Sequence, residues 1–267
     1  ISIPRSIDGL SYEIIITDNN SKDGSVEYIR EQYSSARVIT NSRNEGYTKA
    51  INQALRCSKG EYKVILNPDS ILTPNSISLI LQFLNSDEEI GIVGPKVVDS
   101  SGLFQRSCRR GIARPAAVFS YFLGLSELFP SNKKYTGYHL NHLNPDHINE
   151  VGGVSGSCMV IRNNVINDIG YFDEQYFAYQ EDSDYCLTAK NSGWKIYYYP
   201  GSIVKHIGGQ GGSHSVRTRA IFEWHRSYLR YYNKHFAHDY SNIFNIFYLM
   251  IMVGKLIFAQ SKHMMKQ

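Results

Sequence analysis

The stretch "YKVILNPDSILTPNS", residues 62–76, decides the fold. "YKVIL" is a run of strand length, and Asn67-Pro68-Asp69 ends it with turn residues before a helix-like pattern resumes. A buried strand that ends on a carboxylate is how open α/β sheets build ligand sites, because loops converge beyond the carboxyl ends of the strands. Thr73 is expected to cap the next helix, "NSISLILQFLNS", and Pro74 to open it, at a position where a missing N–H does no harm. Taken alone, Asp69 reads equally well as a plain turn residue behind Pro68.

Working outward, "YEIIIT" (12–17) is a continuous apolar run followed by the turn-rich "DNNSKDGS" and the helix-like "VEYIREQYSS". "RVIT" (37–40) is a short strand, "NSRNEG" a loop, and "YTKAINQALRC" a helix with Ala50, Ile51, Ala54 and Leu55 on one face. "IGIVGPKVV" (90–98) reads as a strand interrupted by Gly94-Pro95, which predicts an edge or a bend. Residues 102–150 read as loops with one short helix. Regular pattern returns with "GSCMVIRNNVINDIG", a strand entering a helix, then a helix at "SDYCLTAKNSG" and the strands "KIYYYP" and "SIVKH". This alternation is the mark of a mainly parallel, helix-covered α/β sheet.

The 267 residues, 42% hydrophobic and 19% charged, suit one sizeable α/β domain with an appendage and exclude a disordered chain. A net charge of +4 is too small to imply nucleic acid. Cys57, Cys108, Cys158 and Cys186 show no metal-finger spacing and read as reduced core thiols of a cytosolic protein. From Val216 the pattern changes to long aromatic and basic helices, so residues 1–215 are expected as the main domain and 216–267 as a helical extension. Its most apolar window, "IFNIFYLMIMVGKLIFA" (243–259), is broken by Asn245 and Lys255 and sits near the short limit of the roughly 17–25 residues that cross a bilayer. Lying on a membrane and packing on the domain stand as equal readings, both easier than spanning. Arg217, Arg219, Arg226, Arg230 and Lys234 would favour anionic lipid.

Asp18, Asp69 and His206 each follow a strand, where a divalent ion could be held with positions left open for phosphate oxygens. Glu181-Asp182, with Asp184, opens a helix whose dipole favours negative charge. The bland readings are a satisfied strand-end histidine and a solvated helix start. Arg106, Arg109 and Arg110 could pair with phosphate, against the default of exposed loop arginines. "HIGGQGGSH" (206–214) reads as a closing lid or an ordinary connector.

In register, "DNNSKDGS", "NEGYTKAINQAL", "GEYKVILNPDSIL", "GIVGPKVVDSSG", "VSGSCMVIRNNVINDIGYFDEQYFAYQEDSDYCLTAKNSGWKIYYYP" and "IVKHIGGQGGSHS" resemble the family 2 glycosyltransferases. Within them the chain is similar, over residues 10–235, to the rhamnosyltransferase-like enzymes of cell-surface polysaccharide assembly. The resemblance implies the GT-A fold, a Rossmann-like mixed sheet, with a nucleotide-sugar donor and Mg2+ or Mn2+. It implies that Asp18 contacts the base and that Asn44 and Gly46 shape the nucleotide pocket. Asn67 and Asp69 take the place of the DxD motif, the neutral Asn67 meeting sugar or ribose while Asp69 and His206 hold the metal. Asp182 resembles the general base of inverting members, with Glu181 beside it. The acceptor would be a glycan or lipid-linked sugar, and the place of work the cytoplasm at the inner membrane face. Family members begin with a further strand and helix, about thirty residues, ahead of "YEIIIT". The rival reading is a member that binds glycan or a partner without turnover.

Overall fold

A computed structural model describes residues 2–208 and 217–265. After a single-turn helix, α1 (Ile3–Ser6), two short parallel strands, β1 (Ile15–Asp18) and β2 (Arg37–Thr40), pair as a small sheet. β1 is shorter than the apolar run that predicts it, because β2 offers four residues of partner. Helices α2 (Ser25–Gln32) and α3 (Tyr47–Cys57) follow the two strands in turn.

The main sheet is built from β3 (Tyr62–Leu66), β4 (Ser70–Leu72), β5 (Ile90–Val98), β9 (Cys158–Arg162) and β10 (Lys195–His206), in the order β3-β9-β5-β10-β4. It is mixed: β5 and β10 run parallel, whereas β9 enters antiparallel between β3 and β5, and β4 lies antiparallel on β10. Two-residue strands complete it, β7 (Asn149–Glu150) on β10 and, in a separate pair, β6 (Arg109–Arg110) on β8 (Gly153–Val154). Helices α4 (Ser76–Leu84), α7 (Asn163–Ile169) and α8 (Glu181–Asn191) cover the sheet, and α5 (Pro115–Phe122) and α6 (Leu125–Leu128) occupy the stretch expected to hold one helix.

Two expectations change. The Gly94-Pro95 segment is not at an edge, since β5 runs through it as a buried, central strand. β9 pairs with β5 at Ile92 and Val93, short of Pro95, and the partner β10 steps from Tyr199 to Ile203 between Pro95 and Lys96. That irregularity absorbs the missing N–H. Gly94 is needed because a Cβ there would lie 2.6 Å from the Val154 Cβ. Nor does Thr73 cap a helix: its hydroxyl donates to the Ile203 carbonyl (2.6 Å), β4 precedes it, and α4 starts at Ser76 behind a left-handed Asn75.

One core lies between the sheet and α3, α7 and α8, centred on Ile92, Met159, Ile161 and Ile196; another lies under α4, with Ile80, Leu84 and Val93. A third joins α5 and α8 to the two last helices, α9 (Arg217–His235) and α10 (Asn242–Met264). α9 buries Tyr228, Tyr231 and Tyr232, and the Tyr232 ring stacks on Tyr248 of α10 at 3.9 Å. The four cysteines are free thiols.

Candidate active site

The turn from β3 into β4 holds Asp69, and the pairing of β4 with the end of β10 sets it beside His206. The Asp69 Oδ1 lies 3.1 Å from His206 Nε2, with the carboxylate buried and the imidazole partly so. The Ile207 N–H donates to the Asp69 carbonyl (3.0 Å), so strand pairing fixes the two residues side by side. Gln105 sets the ring: its Nε2 donates to the His206 carbonyl (2.8 Å), which turns its Oε1 toward His206 Nδ1 at 3.1 Å. An amide oxygen can only accept, so Nδ1–H donates to Gln105; Nε2 faces the Asp69 carboxylate, a second acceptor, so a cation placed between them would take the Nε2 lone pair in place of a proton. One carboxylate and one imidazole are a partial donor set, and among the described residues no third His, Cys, Asp or Glu joins them. They fit a cation that completes its shell with water and phosphate oxygens.

Asn67 is held from behind. The Tyr47 hydroxyl lies 2.7 Å from Asn67 Oδ1 and 3.0 Å from the Gly156 carbonyl, and its one proton can serve either. Burial, followed by the charges of Glu181, Asp182 and Asp69, pushes the Tyr47 phenol far up, so it remains a donor. With Oδ1 engaged, the Asn67 amide nitrogen is the group left for a ligand oxygen. Tyr47 is itself placed by Gly46, whose φ of +95° and close approach to the Phe177 carbonyl (2.7 Å from a built Cβ) admit only glycine without strain. Asn44 Oδ1 accepts the Gly46 N–H (3.0 Å), and Asn19 Nδ2 donates to the Gly46 carbonyl (3.0 Å). Asn19 follows Asp18, whose carboxylate accepts the N–H groups of Asn20 (3.0 Å) and Ser21 (3.2 Å). The Asp18 turn and the Asn44–Gly46 turn are thereby tied into one loop cluster.

At the start of α8 the carboxylates are not solvated charges. Glu181, Asp182 and Asp184 are all buried, behind two left-handed residues, Tyr179 (φ +67°) and Gln180 (φ +61°). Such backbone is stored at functional sites. Asp182 accepts from Arg110, from the Gly156 N–H (3.0 Å) and from the Ser183 N–H (2.7 Å). Burial works against the Arg110 charge, yet the Asp182 carboxylate outweighs it and holds the guanidinium protonated. Glu181 Oε2 has no partner among the described residues, and burial, then the Asp182 charge, pushes its carboxyl up. Asp184 serves architecture, accepting from Tyr176 (3.1 Å), Lys234 (2.9 Å) and His235 (2.7 Å) and so clamping α9 onto α8.

A hydrogen-bonded line therefore runs from Arg110 through Asp182, Gly156 and Tyr47 to Asn67, two residues from Asp69. Two of the candidate arginines stand apart from it. Arg109 is fully buried, donates to the carbonyls of Asn144 (3.0 Å) and Leu143 (2.6 Å), and lies 4.7 Å from the Tyr198 ring centre, so it braces a loop and is not open to phosphate. Arg106 pairs with Glu127 at the surface (3.0 Å). Of the glycines expected as a lid, Gly208 is described, with a φ of +74°, whereas Gly209, Gly211 and Gly212 lie outside the described residues. Sequence reasoning missed Tyr47, Gln105 and Gly156. Only Tyr47 left a trace, as the residue directly behind the "NEG" turn.

The sheet and its helices form the GT-A fold. Solved structures with this arrangement include GalNAc-T7 with UDP, GalNAc and Mn2+ (TM-score 0.55, 17% identity, 83% of this chain and 41% of that one). Another is the mannosyltransferase PcManGT of Pyrobaculum calidifontis with GDP-Man and Mn2+ (TM-score 0.52, 16% identity, 83% and 54%). The sequence profile of glycosyl transferase family 2 matches residues 3–170, and the chain belongs to that family. It is rhamnosyltransferase-like. The N-acetylglucosaminyl-diphospho-decaprenol L-rhamnosyltransferase of Mycobacterium tuberculosis is 29% identical over 205 residues, 72% of this chain. The match spans 66% of that relative's length. The rhamnosyltransferase WbbL of Escherichia coli K12 is 24% identical over 228 residues, 82% of this chain and 81% of its own.

Proposed function

We propose that this chain is an inverting glycosyltransferase that moves a sugar, rhamnose in the favoured case, from a nucleotide donor to a lipid-linked or glycan acceptor. The line from Asp182 to Asn67 carries the reading, because it joins a buried carboxylate able to take a proton to the residues that would grip a donor. The rhamnosyltransferase relatives support the sugar, and the mycobacterial enzyme's name supports a lipid-linked acceptor.

Asp182, oriented by Arg110 and the Gly156 N–H, would accept the proton of the acceptor hydroxyl as its oxygen bonds to the anomeric carbon. The bond from that carbon to the donor diphosphate breaks on the opposite face, and the nucleoside diphosphate leaves as an anion without needing an acid. Glu181, neutral and buried beside Asp182, would orient the acceptor. Asn67 would meet donor oxygens through its amide nitrogen, and the joined turns of Asp18 and Asn44–Gly46 would receive the nucleoside. Asp69 and His206 would hold a divalent cation, whose Lewis acidity stabilises charge on the departing diphosphate. The imidazole ligand favours Mn2+ over Mg2+, in line with the Mn2+ of the GalNAc-T7 and PcManGT structures.

The deciding experiment is a nucleotide-sugar panel scored for nucleoside diphosphate release with Mn2+ or EDTA. Release from one donor that EDTA abolishes supports the reading. Nucleotide binding without turnover on any donor would favour a glycan-binding member without catalysis.

A further inference from the structure

Helix α10 is amphipathic the wrong way round for a protein surface. Its outward residues recur at helical spacing and are apolar: Ile243, Ile246, Met250, Val253 and Ile257 are 44–82% exposed. The two polar residues that interrupt the run face inward. Asn245 accepts from the Tyr232 hydroxyl and donates to the Ala237 carbonyl (3.0 Å). Lys255 lies 3.6 Å from the ring centre of Phe122 and 4.2 Å from that of Trp224. The docked face also buries Tyr248 and Met252.

We propose that this outward face of α10 seats the enzyme on an anionic phospholipid bilayer, with the helix lying in the interface plane. The helix is long and apolar enough to cross a membrane, but crossing would strip Asn245 and Lys255 of their partners and expose the third core. Lying flat keeps both and buries the apolar stripe. Charge selects the occupant: Asn242–Met264 contains no acidic residue. The exposed Arg217 and Lys262 stand at one end of the helix pair, where Gln260 Nε2 donates to the Thr218 carbonyl (2.9 Å). A second copy of the chain would bring cations without carboxylates to meet them, whereas lipid phosphate pairs them. Apolar exposure continues along α5, whose Phe119 packs on Tyr248 and which ends at Leu123, 71% exposed. Of the five basic residues that sequence reasoning assigned to lipid, only Arg217 stands at this end: Arg219 lies 4.0 Å from the Phe177 ring centre, and Arg226, Arg230 and Lys234 bind Glu223, the Gln175 carbonyl, and Asp173 with Asp184.

The test is co-sedimentation with phosphatidylglycerol–phosphatidylcholine vesicles and with pure phosphatidylcholine vesicles, alongside sedimentation velocity without lipid. The native chain should bind the anionic vesicles more tightly. An Ile246→Glu/Met250→Glu/Ile257→Glu variant should bind at least about a hundredfold more weakly, the lower bound for losing the partial burial of three apolar side chains, with unchanged nucleotide binding and thermal melt. Failure of the native chain to bind anionic vesicles overturns the proposal, as does equal binding by the variant. A native dimer that the variant turns into monomer, without vesicle binding, assigns the face to a second copy instead.

Discussion

Arg110 and Asp182 form a buried ion pair at the start of α8, the two side chains only 11% and 10% exposed. β6 supplies the cation and α8 the anion, so the pair locks the β6–β8 ribbon to the helix that carries the carboxylates. Removing one partner of such a pair costs about 3–5 kcal/mol, because the other charge is left buried and unpaired. Arg110→Met and Asp182→Asn should each lower the melting temperature, and the double substitution should recover part of that loss. Turnover should stay at least about a hundredfold down in every variant lacking the Asp182 carboxylate, as for a lost general base. Recovery of turnover in the double variant would remove Asp182 as the base.

Tyr47→Phe deletes one hydroxyl and little else. The variant should lose about 0.5–1.5 kcal/mol of stability and bind the donor more weakly as Asn67 is freed. Donor KM should rise more than kcat falls, which steady-state kinetics would separate.

Gln105→Leu leaves Asp69 and His206 intact but releases the imidazole. Support of this kind is worth about 10–100-fold in metal affinity. Mn2+ binding, read by paramagnetic resonance in the presence of nucleoside diphosphate, should weaken by that range. His206→Ala and Asp69→Asn should weaken it further, and unaltered binding in all three would move the cation elsewhere.

Glu181 has a pH signature. Its folded carboxyl titrates above the unfolded value, through burial first and the Asp182 charge second. Its contribution to stability is therefore fully present below the unfolded carboxylate range near pH 4.3 and is lost as pH rises through the raised folded value. Glu181→Gln should melt like the native chain near pH 5 and higher than it at pH 9, by about 2–4 °C for each kcal/mol relieved. Parallel melting curves across that range would show that Glu181 is already ionised and solvated.

Arg109→Met should destabilise the fold through the 143–144 loop without altering donor affinity. A selective loss of donor binding would return Arg109 to the phosphate site.

The sequence by itself determined the elements whose signals are local. "RVIT", "YKVIL" and "YTKAINQALRC" match β2, β3 and α3 residue for residue, because β-branched runs and helical spacing declare themselves over a few residues. The strand-end positions of Asp69 and His206 were legible for the same reason, and the structure sets them 3.1 Å apart. Only the tertiary structure decided what depends on partners distant in the chain. Pro95 reads as an edge or a bend until a bulge in β10, about a hundred residues later, lets it sit in a central strand. Arg109 and Arg110 are neighbours in sequence, yet β-strand alternation sends one guanidinium to loop carbonyls and the other to Asp182. Tyr47, Gly156 and Gln105 carry no chemical signature, and gain a role only through partners distant in the chain.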